Sequence, residues 1–493
     1  MGRDEGEDPG RFETLHCERR PAPAADHARD FGNLTGSPYL IDASGFRGEA
    51  DRIFTPGDEP ELVEILRDAS AGAIPVTIAG AGTGLTGGRV AQGGWVVSLE
   101  KFTRLDIHDG SATAGAGVLL KDLHAAAART GQFYPPDPTE TWAAIGGTIA
   151  NNASGSRSFR HGDTRRYVLR LRVALIDGQV LDARRGDRID FEVPGLPLPN
   201  TTKHTAGYRL QPGMDWIDLF TGSEGTLGVV IEAKLRLLPA PAALLAGVVF
   251  FSGEERSLAA VEAWRSVAGL RMIEYFDGPS LALLRSRYPE VPAEGGAALL
   301  FEQEVFEQEG DADLEIWPDR LEQAGALLEA SWFASGAPDR ERFRRFRHAL
   351  PELVNDIVRR NGVLKMGSDY AVPIERNGEM LAYYRRRLEA EFRGQYVIFG
   401  HIGDAHVHVN ILPRDDGESG RAKELMLDFA RKAVALGGTV SAEHGLGKLK
   451  THLLELQYSP EQIETMRQVK RRLDPQWLLG RGNLLPRHST GSE

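Results

Sequence analysis

Ile74-Pro75-Val76-Thr77-Ile78 runs without a break into Ala79-Gly80-Ala81-Gly82-Thr83-Gly84-Leu85-Thr86-Gly87-Gly88. The first five residues are mostly apolar and β-branched, as a buried strand requires. The glycines that follow let successive backbone N–H groups line an anion nest, because a phosphate oxygen can approach without a Cβ in its way. No Lys-Ser/Thr pair follows, so this is not a P-loop. The helix and acidic residue of a dinucleotide fingerprint are also missing. Taken by itself, the cluster is a weak signal, and a flexible surface loop is the alternative.

Outward from this loop the local signals sharpen. Asp58-Glu59-Pro60 reads as a helix start, with a cap and a proline in the first turn. Leu62, Ile65, Leu66 and Ala69 then share one face until Gly72 stops the helix. Val118 to Thr130 repeats the pattern and ends at Gly131. Leu169, Leu171, Val173 and Leu175 alternate with Arg170, Arg172 and Ala174 as a half-buried strand, and Asp177-Gly178 supplies a hairpin turn. A further strand spans 228–238 before the Pro239–Pro241 boundary. Strands and helices mix without regular βαβ spacing, which predicts an α+β class. After Pro241 the spacing predicts helices around 256–269, 318–334 and 342–360. Strands are expected near 297–305 and 396–412, giving a sheet with helices on one face. The division expected is a tail and lead-in over 1–50, one domain over 51–241, a second over 242–455, and a C-terminal segment over 456–493 that packs back on the first.

Composition bounds the function. A chain of 493 residues is too long for one core. With 41% hydrophobic and 26% charged residues it reads as an ordinary folded protein. No apolar run is long enough for a membrane span, and the acidic opening MGRDEGEDPG is neither a secretory signal nor a transit peptide, so a cytoplasmic address is expected. The net charge of −12 argues against a nucleic-acid groove. Cys17 is the only cysteine, which rules out internal disulfides and Cys-ligated iron–sulfur clusters. A metal must therefore be held by His, Asp or Glu.

Two further segments belong with the glycine loop. PPDPTETWAAIGGTIANNASG (135–155) carries Gly146-Gly147 and Asn151-Asn152, and TGSEGTLGVVIEAKLRLLP (221–239) carries Gly222, Gly225 and Gly228 just before a strand. Over about residues 50–240 the three segments, in this order, resemble the FAD-binding domain of the vanillyl-alcohol oxidase superfamily. The resemblance implies that Ala79, Gly80, Ala81, Gly82, Thr83 and Gly84, with Thr86 and Gly87, hold the pyrophosphate. It implies that Asp137, Pro138, Thr139, Gly146, Gly147, Asn152 and Gly155 line the flavin and ribityl chain. Glu224 and Ile231 would finish the adenine side. Ser154 stands where these proteins usually have glycine. No histidine occupies the glycine loop, so the FAD is expected to be non-covalent.

The densest chemistry lies in YVIFGHIGDAHVHVNIL (396–412), two strands joined at Gly403-Asp404. His406, His408 and Asn410 share one face of the second strand, and His401 ends the first. SAEHGLGK (441–448) adds Glu443 and His444 between small residues. Two imidazoles and a carboxylate leave positions open for a catalytic divalent ion. The bland alternative is a polar strand face that happens to be rich in histidine. GHIGDAHVHVN resembles the G-H-x-G-D-G-N-x-H-x-N motif of the D-lactate and D-2-hydroxyglutarate dehydrogenases, departing from it at Ala405-His406.

This resemblance implies that His401, His408 and Glu443 bind one zinc, manganese or iron ion and that His444 is the general base. Asn410 would touch substrate, and Arg347 and Lys365 would grip its carboxylate. Arg347 also sits in a run of arginines that reads as a solvated helix face. Near the C-terminus LLGRGNLLP replaces the family's Asn-Pro-Gly.

The implied activity is oxidation of a small anionic D-2-hydroxy acid (lactate, glycolate or 2-hydroxyglutarate class) to the 2-oxo acid, with FAD as cofactor. His444, near its ordinary pKa of about 6.5, would accept the hydroxyl proton. Electrons would pass to a quinone, an electron-transfer flavoprotein or oxygen. A homodimer and a peripheral association with the membrane stay open. Two rivals also stay open: a non-redox transferase like the alkyl-dihydroxyacetone-phosphate synthases, whose H-x-H element resembles His406-Val407-His408, and a non-catalytic FAD-binding subunit of an oxidase complex.

Overall fold

The computed structural model describes residues 36–305, 312–334 and 336–486. Cys17, most of the expected tail and the last seven residues of the C-terminal segment lie outside the described residues.

The first half is built on two main sheets, with a short two-stranded ladder of Gln132–Phe133 and Leu238–Pro239 beside them. Arg52–Phe54, Trp95–Ser98 and Val76–Ala79 form a three-stranded parallel sheet with Trp95–Ser98 in the centre. The helix Glu59–Ala71 carries the chain from Arg52–Phe54 across to Val76–Ala79 on the other side of the central strand, as strands running the same way require. The Asp58 carboxylate accepts from Glu61 N at 3.0 Å, Pro60 sits in the first turn, and Leu62, Ile65, Leu66 and Ala69 are buried. The glycine loop leaves the C-terminal end of the strand Val76–Ala79, where strand ends of a parallel sheet open towards ligands.

The second sheet has five antiparallel strands in the order Leu105–His108, Ser111–Gly115, Val229–Arg236, Val168–Ala174 and Val180–Arg184. Gly178, at φ +78°, closes the expected hairpin. Leu478 and Gly480 bond both backbone groups of Val76, so the chain after the helix Pro460–Leu473 returns to the parallel sheet.

The second half holds a seven-stranded antiparallel sheet in the order Trp332–Ala334, Ala243–Phe251, Ala297–Val305, Leu270–Asp277, Tyr396–Gly400, His408–Ile411 and Met366–Gly367. Helices cover both faces, not one as expected. Val249, Phe251, Leu299 and Phe301 pack with Trp264, Trp317 and Tyr384 on one side. Val248, Phe250, Ala298 and Leu300 pack with Leu281, Phe346 and Leu350 on the other. The stretch 318–334 also differs from expectation. Its helix is Ala312–Gln323, Gly325 turns the chain at φ +65°, and Trp332–Ala334 joins the sheet edge. Among the described residues no helix is long and apolar enough to cross a membrane.

His204 ties the two halves together, with Nδ1 2.8 Å from Thr439 Oγ1 and Nε2 2.9 Å from Tyr458 Oη. Burial, reinforced by Arg209 and Arg165, pushes this imidazole down to about 3. The unfolded chain titrates near 6.5. Above that pH both states are neutral. Below it the unfolded chain takes up a proton that the folded protein refuses, so stability falls from about pH 6.5 towards 3, by up to about 1.4 kcal/mol per pH unit. His204→Gln is expected to flatten this acid limb, measured as urea midpoints between about pH 7 and pH 5. An unchanged slope would remove His204 as its source.

Candidate active site

One cavity of about 1040 Å³ takes its walls from both halves. The glycine loop from Ala79 to Thr86 forms one side, with Pro138, Thr139, Gly146, Gly147 and Glu224 beside it. Arg347, Lys365, His401, His408, Asn410, Glu443 and His444 form the other. Residues far apart in sequence thus meet in a space large enough for a cofactor and a small substrate.

Five residues expected on the cofactor wall stand behind it. Gly87 N donates to the Asp42 carboxylate at 2.9 Å, and a Cβ there would meet the Phe46 ring at 2.8 Å. Gly155 has φ +94°, and a Cβ would fall 2.0 Å from Asp137 O. Asp137 itself faces Arg157 at 3.0 Å. Asn152 bonds Asp163 at 2.8 Å and accepts from Arg165 N at 2.9 Å. Ile231 is buried under the parallel sheet. These residues set the backbone path rather than the surface. Glu224 does reach the cavity, but its carboxylate accepts Leu446 N at 2.7 Å and Gly447 N at 2.6 Å, anchoring the turn that carries Glu443. Burial pushes this carboxyl up to about 7.

The histidine strands bring three ligand atoms together. Glu443 Oε1 lies 3.0 Å from His401 Nε2 and 3.6 Å from His408 Nε2. Gly400, at φ +122°, leaves room for this, because a Cβ would press on His408 Cδ2 at 2.8 Å. The outer atoms are also held. His401 Nδ1 is 2.5 Å from Glu274 Oε1, and His408 Nδ1 is 3.1 Å from Ser368 O. Each imidazole is oriented from behind with Nε2 facing inward, the arrangement that supports metal ligands.

Glu443 Oε2 accepts from Ser154 Oγ at 3.0 Å, Gly155 N at 3.1 Å and Lys203 Nζ at 3.1 Å. The serine that departs from the family's glycine therefore has a job. Burial alone would raise the Glu443 carboxyl, but Lys203 and His401 outweigh it and hold it well below the ordinary range.

His444 lies beside this centre, its ring stacked at 12° on His408 with centroids 5.4 Å apart. Its Nδ1 is 3.5 Å from Asp369 Oδ1 and its backbone N donates to Asp369 Oδ2 at 2.9 Å. The expected pKa near 6.5 is corrected here. Burial, against the pull of Asp369, pushes this imidazole down to about 4. His444 is neutral at neutral pH.

Arg347 is not on a solvated face. Its Nε donates to Glu274 Oε2 at 2.7 Å and its Nη1 to Thr139 Oγ1 at 2.9 Å. Lys365 Nζ donates to Asn410 Oδ1 at 2.7 Å, and burial followed by Lys450 pushes it down to about 8. Asn410 Nδ2 is buried without a partner among the described residues. A donor left bare at about 1–3 kcal/mol is ready for an acceptor on a ligand.

Three charged residues of the site escaped the sequence reading. Glu274 lies between Ile273 and Tyr275 in the strand Leu270–Asp277, which is buried throughout and carries Arg271 and Asp277 as well, so charge in that strand does not by itself single it out. Asp369, wholly buried, receives Ser441 Oγ at 2.7 Å and the backbone of Glu443 and His444. Lys203 sits in a loop with no periodicity, and only its partners, 3.1 Å away at Glu443 and 3.5 Å at Asp404, reveal it.

Comparison with known proteins bears on the family of the chain. Residues 240–484 match the family model for the C-terminal domain of FAD linked oxidases, and residues 50–184 match that for an FAD binding domain. The chain is 32% identical to a D-lactate dehydrogenase of Archaeoglobus fulgidus, over 88% of this chain and 91% of that protein. It is 31% identical to a D-2-hydroxyglutarate dehydrogenase of Xanthomonas citri pv. viticola, over 96% and 95%. It is 28% identical to a glycolate oxidase subunit of Bacillus subtilis, over 92% and 93%. A solved alkyldihydroxyacetonephosphate synthase superposes with a TM-score of 0.67, covering 90% of this chain and 77% of the other at 16% identity, a likeness of fold alone.

Proposed function

Because the chain belongs to the FAD-linked oxidases and is an FAD-binding oxidoreductase, we propose that it oxidises a D-2-hydroxy acid to the 2-oxo acid with a divalent metal at His401, His408 and Glu443. The observation that carries this reading is the meeting of those three ligand atoms beside a neutral His444 and an unpartnered Asn410 Nδ2, in the cavity that the glycine loop also lines. The donor set fits a zinc, manganese or iron ion: one carboxylate oxygen and two Nε2 atoms, each braced from behind. Non-covalent FAD would lie along Ala79–Gly84, Thr86, Pro138, Thr139, Gly146 and Gly147. Bound there, FAD supplies an acceptor for two electrons and the hydrogen on C2, while the metal acidifies the hydroxyl.

The chain's own residues do the rest. Arg347 and Lys365 hold the carboxylate of the acid, and Asn410 Nδ2 donates to one of its oxygens. His444, with Nδ1 turned to Asp369, offers Nε2 to the hydroxyl proton. The neutrality of that ring keeps it ready to accept. A quinone, an electron-transfer flavoprotein or oxygen takes the electrons onward.

The test is anaerobic flavin bleaching of the FAD-loaded protein by D-lactate, glycolate, D-2-hydroxyglutarate and bulkier D-2-hydroxy acids, with the L-acids as controls. One D-acid is expected to bleach rapidly. Silence across the panel defeats the reading. His444→Ala is expected to keep FAD and lose about a hundredfold or more in the rate of bleaching. A rate within a few-fold of the parent protein would take the base role away from His444.

A further inference from the structure

Position 406 holds a third imidazole against this centre. His406 is wholly buried, and among the described residues neither of its ring nitrogens has a partner in hydrogen-bonding geometry. Its ring centroid is 4.6 Å from that of His408 and 5.3 Å from that of His401. Asp369 Oδ1 lies 3.1 Å from Nε2, within reach but outside hydrogen-bonding geometry. The backbone fixes the ring in place: Ala405 takes a left-handed turn at φ +51°, and His406 N donates to His401 O at 3.1 Å. Nε2 thus has only an off-line carboxylate beside it and Nδ1 has no hydrogen-bonding partner, and a buried ring donor or acceptor left unmet costs about 1–3 kcal/mol, so such a group points to an absent partner.

One ring nitrogen of His406, one each of His401 and His408, and a carboxylate oxygen of Glu443 all lie within 4.8 Å of one another. Donors about 2.0–2.2 Å from a shared ion stand roughly 3 to 4.4 Å apart, so only a small contraction brings all four onto it. We propose that His406 is a fourth protein ligand, making the centre three imidazoles and one carboxylate. This rests on the metal reading above.

The fourth ligand narrows the metal. A 2-hydroxy acid that chelates through its hydroxyl and carboxylate takes two positions, and four from the protein make six. Zinc prefers four and rarely exceeds five, whereas manganese and iron accept six. Six positions would favour manganese or iron over zinc.

The test uses Co²⁺ as a probe, titrated into metal-free, FAD-loaded protein and followed by its visible d–d bands. His406→Ala and His408→Ala are each expected to weaken Co²⁺ about tenfold or more and to change the band pattern. X-ray absorption of the Co²⁺-loaded parent protein is expected to count three imidazoles, which decides the matter should His406→Ala not fold. Unchanged affinity and bands in His406→Ala, with loss in His408→Ala, overturns the fourth ligand and leaves the metal reading standing; a count of two imidazoles does the same. A parent protein that binds no Co²⁺ overturns both.

Discussion

Glu443→Gln is expected to cut the rate of flavin reduction by about a thousandfold or more, about 4 kcal/mol of barrier, while the flavin-to-protein ratio stays unchanged. The amide is nearly isosteric, so packing is preserved. Oε2 now accepts from Ser154, Gly155 and Lys203, and only a carbonyl oxygen can replace it there. That choice turns the new NH₂ towards His401 Nε2 and His408 Nε2, putting a donor where the centre needs a charged acceptor. Three losses coincide: a ligand atom, its negative charge and half of the counter-charge of Lys203. Glu443 belongs to the far wall from the glycine loop, so FAD should remain. Anaerobic stopped-flow reduction and cofactor content measure the two sides of this statement. Reduction within tenfold of the parent rate would mean that the proposed ion does not sit on Glu443.

The parts of the molecule that were legible in advance are those whose causes are local. The helix Glu59–Ala71 is written in a cap, a proline, one apolar stripe and a stopping glycine, all within a few residues. The hairpin at Asp177-Gly178 is as local. The covering of the seven-stranded sheet differs from the expectation although its signal is present in the sequence. ALLAGVVFF in Ala243–Phe251 is apolar at nearly every position, and a strand with one face in water would alternate.

The site divides in the same way. His401, His408, Glu443 and His444 are proposed through a motif whose residues lie within the same short stretches. Lys203 and Glu443 are separated by 240 residues, and nothing in either neighbourhood announces the other. Gly87 and Gly155 show a different limit: glycine in a motif marks where the backbone is tight, and the tightness here is against Phe46 and Asp137 O rather than the cavity. The lowered His444 arises from enclosure by several elements at once, which no local pattern records.

Lys203→Met should be the most damaging substitution for stability. The ammonium is buried, 2.9 Å from Gly155 O, 3.1 Å from Glu443 Oε2 and 3.5 Å from Asp404 Oδ2. Methionine matches the volume of the stem, so little cavity opens. What remains are two buried carboxylates with no cation beside Glu443 Oε2, and removal of one partner from a buried ion pair costs about 3–5 kcal/mol. A fall in Tm of about 3–5 °C follows for a chain of this size.

Lost packing and lost charge pairing are separated by a double-mutant cycle. Glu443→Gln removes one of the stranded charges, so the double variant Lys203→Met/Glu443→Gln should be more stable than the sum of the single losses predicts. The expected coupling is about 1 kcal/mol or more, read from urea midpoints of the FAD-loaded proteins. Simple additivity would mean that Lys203 fills space beside Glu443 without holding its charge.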